Sequence, residues 1–417
     1  MDYYVIISAL VFLAAIFGYI NIRFFKLPTT IGLMLITILY TLAVLALSYF
    51  DDTLLKAESM LIRQIDFETV LMDYMLSFLL FAGALHTNFQ QLKVQRWPII
   101  LFATIGVIVS TFLIGTVMFY VLQLLGLQIS YIYFLLFGAL ISPTDPIAVL
   151  GILKKANVPK KLETKIVGES LFNDGVGVVV FLTILQIAST GGEPVNPMDI
   201  IQLFVQEVMG GLLLGLFIGW VTYKLLKSIN DFSIEVIITL AAVMMGTVTA
   251  QKFHLSAPLA MVAAGLVVGN DTVRNVAMSE ATELYVDKFW ELVDILLNAI
   301  LFVLIGMEML LLDFEKNYVM AGLLAIPIVL FCRYLSLWPP IKVFEKKLDF
   351  VPNTNLIMTW GGLRGGISIA LALTLSNEMH REMFLVITYI IVVFSILVQG
   401  LTIEKLVKNL LSKNVIA

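Results

Sequence analysis

The chain has 417 residues, of which 60% are hydrophobic and 13% are charged, and its formal net charge is −4. Because a soluble domain carries about 25% charged residues, this composition excludes a soluble globular protein and predicts a polytopic membrane protein. The single cysteine, Cys332, excludes an intramolecular disulfide bond.

Apolar segments long enough to span a bilayer recur along the whole sequence. A helix needs about 20 apolar residues to cross the hydrocarbon core, so the sequence predicts one all-α membrane domain, 1–417, with about thirteen transmembrane helices. The first segment lacks the basic region and the cleavage site of a signal peptide, and we expect it to remain as a helix. The predicted helices cover 3–20, 27–49, 69–87, 98–123, 130–152, 163–189, 198–225, 232–251, 255–269, 288–311, 318–341, 353–376 and 383–404.

Lysine and arginine are distributed unequally between alternate loops. Counted from the loop after the first helix, one set of loops and adjoining helix ends contains 19 of these residues and the other contains 5. Positive residues concentrate on the cytoplasmic side of a membrane. The bias predicts a multi-pass protein of the cell membrane with its N-terminus outside and its C-terminus in the cytoplasm.

The fifth predicted helix, which contains YFLLFGALISPTDPIAVLGIL, should be interrupted near its middle. Pro143 and Pro146 lie on either side of Thr144 and Asp145. Each proline lacks an N–H and clashes with the preceding turn, so we expect the backbone to unwind there.

The twelfth predicted helix, NLIMTWGGLRGGISIALAL, should also break, because four glycines surround Arg364. Two units of about six helices, joined by helix 198–225, would place the two breaks at matching positions of an inverted repeat. Interrupted helices at corresponding positions indicate a transport site. The alternative is that the prolines and glycines merely kink both helices.

Four polar residues stand in the first half of the sixth predicted helix, in ESLFNDGVGVVVF, residues 169–181. Glu169 and Asn173 are four apart and share a face, and Ser170 and Asp174 share the adjacent face. The Asp and Ser oxygens, with free carbonyls at the neighbouring break, suit a small hard cation such as Na⁺. Because burial disfavours a charged carboxylate, Asp174 could hold a proton instead. One site that takes either ion is a minimal exchanger.

Other intramembrane charges have predicted roles outside the ion-binding set. Glu169 is expected to pair with Arg364, because a lone buried charge costs far more than a pair. Asp145 is expected to bond to Asn173 or to cap a half-helix rather than bind the ion. Two acidic side chains near the cytoplasmic end of the tenth helix, Glu291 and Asp294, could form an entry funnel, or could snorkel or pair with Lys288.

Several of these segments together resemble the monovalent cation:proton antiporter family, in its NhaP/NHE branch. The segments are SPTDPIAV, GESLFNDGVGVV, HLSAPLAMVAAGLVVG, FWELVDILLNAILFVLIGME and TWGGLRGGISIALAL. The resemblance implies a thirteen-helix inverted repeat that works as a homodimer by an elevator-like motion. It implies a dimerisation part from about 1–96 and 232–311, a moving ion-binding core from about 97–189 and 318–404, and a linker helix at 198–225.

The resemblance also implies a role for individual residues. Asn173 and Asp174 match the family's ion site, with Asp174 as the carrier carboxylate. Ser170 and Thr144 match its further ligands, and the family's buried Glu–Arg pair corresponds to Glu169 and Arg364. In the family, asparagine before the carrier is associated with electroneutral one-for-one exchange of Na⁺ for H⁺. We expect no cofactor and no nucleic-acid partner.

The sequence departs from the family at Ala82, where many relatives carry a glutamate in the third helix. Exchange of K⁺, or of a mixture of Na⁺, K⁺ and Li⁺, is therefore an open alternative. More distant alternatives are a cation channel, an organic-anion transporter and an intramembrane hydrolase. The sequence lacks the continuous polar lining of a channel, and it shows no nucleophile–base constellation for an enzyme.

Overall fold

The computed structural model describes residues 3–145, 158–190, 197–345 and 350–412, and within these ranges the chain is helical and has no strand. The predicted all-α class is confirmed. The helices are α1 (Tyr3–Ile20), α2 (Thr29–Leu47), α3 (Thr53–Arg63), α4 (Phe67–Leu85), α5 (Phe89–Val94), α6 (Arg96–Leu124), α7 (Tyr131–Ile141), α8 (Lys160–Ser189), α9 (Pro197–Ser228), α10 (Phe232–Lys252), α11 (Ala257–Val268), α12 (Asp271–Ala277), α13 (Glu280–Glu308), α14 (Lys316–Phe344), α15 (Thr354–Gly361), α16 (Gly366–Leu373) and α17 (Arg381–Leu411).

Ten helices of the described ranges are long and apolar enough to cross a membrane, or eleven if the bent pair of α15 and α16 is one span. Two further apolar helices, α7 and α11, are shorter. The count of thirteen crossings stays a prediction, because residues 146–152 of the predicted helix 130–152 lie outside the described residues.

Packing divides the helices into two groups. The long helix α13 packs on α1, α2 and α4, whereas α14 packs on α6, α15 and α17. Helix α8 lies against α7 and also contacts α9 and α11. Only 11% of the most apolar stretch of α9 is buried, so this helix has a wide apolar surface available to lipid. The division into a dimerisation part and a core remains a prediction.

Both interrupted helices have the predicted break. Helix α7 ends at Ile141, and the chain is not helical from Pro143 to Asp145. Pro146, the second proline of that break, lies outside the described residues. Helices α15 and α16 meet at 53° across the segment that contains Arg364. The proline and the glycines therefore end helices here rather than only bending them.

Candidate functional site at the two helix breaks

The two breaks touch each other in the middle of the structure. The N–H of Asp145 donates a hydrogen bond to the carbonyl oxygen of Leu363 at 2.8 Å. A Cβ atom at Gly365 would lie 2.5 Å from Oδ2 of Asp145, closer than side chains approach. The absence of a side chain at Gly365 thus lets the second break pack against the carboxyl group of the first.

Arg364 serves the backbone of the other break. Its Nη1 donates to the carbonyl oxygens of Ser142 and Pro143, the latter at 2.8 Å. Its own N–H donates to Oγ of Ser395 at 2.9 Å. These carbonyls follow the C-terminal end of α7, where helix carbonyls lack partners and the helix dipole is negative. The guanidinium therefore supplies both the donors and the positive charge that this end requires.

The predicted partner of Glu169 was wrong. Glu169 pairs with Arg333 of α14, through Nη1 and Oε1 at 2.6 Å and through Nη2 and Oε2 at 2.8 Å. Both side chains are buried, with exposures of 1% and 3%. Arg364 is not the partner because the freed carbonyls engage its guanidinium. The two-point geometry is the strong form of a carboxylate–guanidinium pair.

Thr144, Ser170 and Asn173 form one hydrogen-bonded cluster between the first break and α8. The hydroxyls of Thr144 and Ser170 are 2.9 Å apart, and Nδ2 of Asn173 donates to Oγ1 of Thr144 at 2.9 Å. Oδ1 of Asn173 accepts from the N–H of Thr144 at 3.2 Å. The same Nδ2 lies 3.3 Å from Oε1 of Glu169, which links the cluster to the ion pair. Asn173 thus holds the unwound segment against α8.

Asp174 stands apart from this cluster. It is buried, and within the described part of the chain it forms no hydrogen bond or ion pair. It lines a cavity of about 50 Å³ together with Asp145, Asn298 and Ser368. A cavity needs about 10–15 Å³ to hold one water molecule, so this cavity has room for a small cation and a water molecule.

The predicted ligand set is only partly brought together. Asp174 lines the cavity, whereas the side chains of Ser170, Thr144 and Asn173 bond to one another beside it and are not part of its lining. Asp145, predicted as a supporting residue, does line the cavity. The site therefore has a carboxylate-bearing cavity and an adjacent polar cluster.

The two candidate funnel residues have different surroundings. Glu291 is exposed and pairs with Lys288 at 2.6 Å, as one of the predicted alternatives had it. Asp294 is half-buried one turn further along α13 and accepts a hydrogen bond from Nδ2 of Asn298 at 3.0 Å. Asp294 therefore connects to the cavity through Asn298.

Ala82 faces away from the cavity. It is fully buried in an apolar cluster with Phe81 and Trp290, whose rings are 4.6 Å apart. From the same helix Gly83 lines the cavity instead. No carboxylate from this stretch of α4 reaches the site.

Sequence reasoning missed two residues of this site, Arg333 and Asn298. Arg333 lies inside the predicted helix 318–341, and the available signal was that a buried arginine requires an anion nearby. Asn298 carries no charge and so did not stand out. Its spacing of four residues from Asp294 was the available signal.

The chain is similar to known proteins over nearly its whole length. The model of the transmembrane sodium/hydrogen exchanger family matches residues 11–409. The chain is 48% identical over 410 residues to the Na⁺/H⁺ antiporter NhaP of Pseudomonas aeruginosa, which covers 97% of this chain and 96% of the relative. It is 33% identical over 398 residues to the Na⁺/H⁺ antiporter NhaH of Halobacillus dabanensis, covering 93% of each.

The fold is shared with a solved structure of lower sequence similarity. The sodium proton antiporter MjNhaP1 from Methanocaldococcus jannaschii at pH 8 superposes with a TM-score of 0.77 at 18% identity, over 99% of this chain and 100% of that one. That likeness establishes the architecture, and the family match covers nearly the same length of sequence. The chain therefore belongs to the sodium/hydrogen exchanger family.

Proposed function

We propose that this protein exchanges Na⁺ for H⁺ across the cell membrane, with Asp174 as the carboxylate that binds each ion in turn. The observation that carries the proposal is the contrast between the two buried carboxylates of α8. Glu169 is neutralised by Arg333, whereas Asp174 faces a cavity without a partner among the described residues. The names of the relatives support Na⁺ as the exchanged cation.

Competition for one carboxylate couples the two fluxes. A bare carboxylate is costly to carry through a low-dielectric region, so the carrier moves readily only when Na⁺ or a proton neutralises it. Each ion brings one positive charge, so a full cycle through Asp174 alone transfers no net charge. The exchange is therefore one-for-one and electroneutral.

The neighbouring residues support this carrier without changing state. The Glu169–Arg333 pair and the Asn173–Thr144–Ser170 cluster hold α8 against the first break. Arg364 satisfies the carbonyls that the break leaves free. A preorganised surrounding of this kind lets one group titrate or bind a cation while the rest remains fixed.

The architecture suits an elevator-like motion. We assign α13 with α1, α2 and α4 to a static, dimer-forming part, and α8 with both breaks to a moving core. The protein would work as a homodimer, with its N-terminus outside and its C-terminus in the cytoplasm. The Lys and Arg distribution and the two packing groups support this assignment.

Purified protein in liposomes with an internal pH dye tests the proposal. We expect added Na⁺ to drive proton movement in the wild type and Asp174→Asn to abolish it, because the amide can neither hold a proton nor neutralise Na⁺. Lowering the pH should raise the KM for Na⁺ without lowering the maximal rate, as expected for competing ions. Thermal unfolding and dimer content of the variant control for folding.

Two results would contradict the proposal in different ways. Wild-type rates in a folded Asp174→Asn protein would remove Asp174 as the carrier. If K⁺ or Li⁺ drove proton movement as effectively as Na⁺, Asp174 would remain the carrier but Na⁺ would not be the specific cation. That is the alternative that Ala82 leaves open.

A further inference from the structure

Asn298 has a side chain whose orientation is fixed by its neighbour. Its Nδ2 donates both to the backbone oxygen of Asp294 at 2.8 Å and to Oδ1 of Asp294 at 3.0 Å. Both partners are acceptors, so the NH₂ group must face them and the amide cannot be flipped. The carbonyl oxygen, Oδ1 of Asn298, therefore points away from Asp294.

That oxygen is buried and has no hydrogen-bond partner among the described residues. Asn298 is 4% exposed and lines the same cavity as Asp174 and Asp145. Nearly all buried polar atoms in proteins have a partner, so a buried acceptor without one requires an explanation. A donor, a water or a cation in the cavity would provide it.

We propose that Oδ1 of Asn298 is a ligand of the transported cation, in the cavity that Asp174 also lines. The inference rests on the proposed function and adds to it a residue of α13. An amide oxygen is a hard ligand of the kind that alkali cations accept. It is also neutral, so it strengthens cation binding without giving the cavity a second negative charge to compensate.

The proposal gives Asp294 a definite task. Asp294 is a positioning residue, because it holds the NH₂ group of Asn298 and so turns the oxygen away from itself. In Asp294→Asn the side chain keeps an acceptor oxygen where the carboxylate oxygen was. Asp294→Asn should therefore keep the orientation of Asn298, whereas a change at Asn298 itself removes the ligand.

The test measures Na⁺ affinity in two independent ways, by the KM of proton movement in liposomes and by the Kd for Na⁺ obtained from the dependence of Tm on Na⁺ concentration in detergent. We expect Asn298→Ala to raise both on the order of tenfold, the effect of losing one good ligand. The maximal rate should change less than about twofold. Asn298→Ser keeps an oxygen in a smaller side chain, so its Na⁺ affinity should lie between those of the wild type and Asn298→Ala. This variant is measured in place of Asn298→Ala if the alanine variant does not fold.

A matched control comes from Asn355, which makes the same kind of bond outside the cavity. Its Nδ2 donates to the carbonyl oxygen of Tyr334 at 3.3 Å, and its Oδ1 also has no partner among the described residues. Asn355→Ala should leave unchanged both the KM for Na⁺ and the Kd for Na⁺ obtained from Tm. Equal effects of Asn355→Ala and Asn298→Ala would overturn the inference.

Further outcomes separate this inference from the proposed function. Unchanged Na⁺ affinity in Asn298→Ala, beside an inactive Asp174→Asn, would overturn the ligand role alone. A tenfold loss in Asp294→Asn would assign the effect to the carboxylate of Asp294 and likewise overturn it. If the wild type showed no exchange dependent on Asp174, the proposed function would fail. The Kd values for Na⁺ obtained from Tm would still decide whether Asn298 binds Na⁺.

Discussion

At the scale of single residues, the buried charges differ in what neutralises them. Glu169 meets Arg333 at two points, and Arg364 meets two backbone carbonyls. Asp174 meets an open cavity. A buried charge with a partner is stable in one state, whereas one that faces a cavity can exchange its counter-ion. This difference is the basis for our proposal that Asp174 is the carrier and that the other charges form the scaffold of the site.

The ion pair between Glu169 and Arg333 leads to a prediction about stability. Removing one member of a buried pair leaves an uncompensated charge, which typically costs about 3–5 kcal/mol. Arg333→Met should therefore lower Tm strongly, and adding Glu169→Gln to it should recover part of the loss. A double-mutant cycle on thermal unfolding measures the coupling.

The same cycle with Arg364→Met in place of Arg333→Met is the matched control. We expect a much smaller coupling to Glu169 there, because Arg364 bonds to carbonyl oxygens. A larger coupling for Arg364 than for Arg333 would reinstate the pair that the sequence suggested and contradict the geometry described above.

The choice between two arginines shows where sequence reasoning ends at this scale. A buried glutamate requires a cation, and that part was predictable. Which cation it meets depends on the depth of each arginine in the membrane and on the carbonyls that a break leaves free. Neither quantity can be read from the residues alone, so Arg364, next to the glycines, looked the more suitable partner than Arg333.

At the scale of elements, the close contact of the two breaks determines the shape of the site. Gly365 packs against the carboxyl group of Asp145, and the backbones join through Asp145 and Leu363. The contact brings the ends of α7 and α16 together. The relative position of the breaks thus depends on a residue without a side chain.

Gly365→Ala should therefore disturb transport more than folding. The added Cβ would lie 2.5 Å from Oδ2 of Asp145, so the breaks must separate and the cavity must change. We expect at least about a tenfold loss of Na⁺-driven proton flux, since misplacement by about 1 Å can cost 10²-fold. Gly18→Ala is the control, because a Cβ there has nothing within 4 Å. Equal fluxes in the two variants would show that the contact is dispensable.

Helices were predictable where hydrophobicity alone decides them, and less so elsewhere. Within the described ranges, the long apolar segments form helices, and both breaks follow from Pro143 and the glycines around Arg364. Helix α3 was missed because its 11 residues are too short and polar to span. The first turns of α13 were missed for a related reason, since Glu280, Glu283 and Asp287 lower the hydropathy where the helix has already begun.

At the scale of the whole molecule, the charge moved in each cycle depends on how many carboxylates change state. Asp174 and Asp145 both line the cavity, so two carriers are a real alternative to one. With Asp174 alone, Na⁺ and H⁺ exchange one-for-one. If Asp145 also released a proton in each cycle, two protons would exchange for one Na⁺ and net charge would cross the membrane.

Voltage distinguishes these cases. Moving one charge across the membrane couples to about 2.3 kcal/mol per 100 mV, so a valinomycin-set potential would change an electrogenic rate many-fold. We expect Na⁺-driven proton flux in liposomes to be the same with and without that potential. Asp145→Asn should then keep a measurable, voltage-independent flux, because the remaining carboxylate still exchanges one charge for one. A flux that follows voltage in the wild type and loses that dependence in Asp145→Asn would make Asp145 a second carrier and replace the one-for-one cycle.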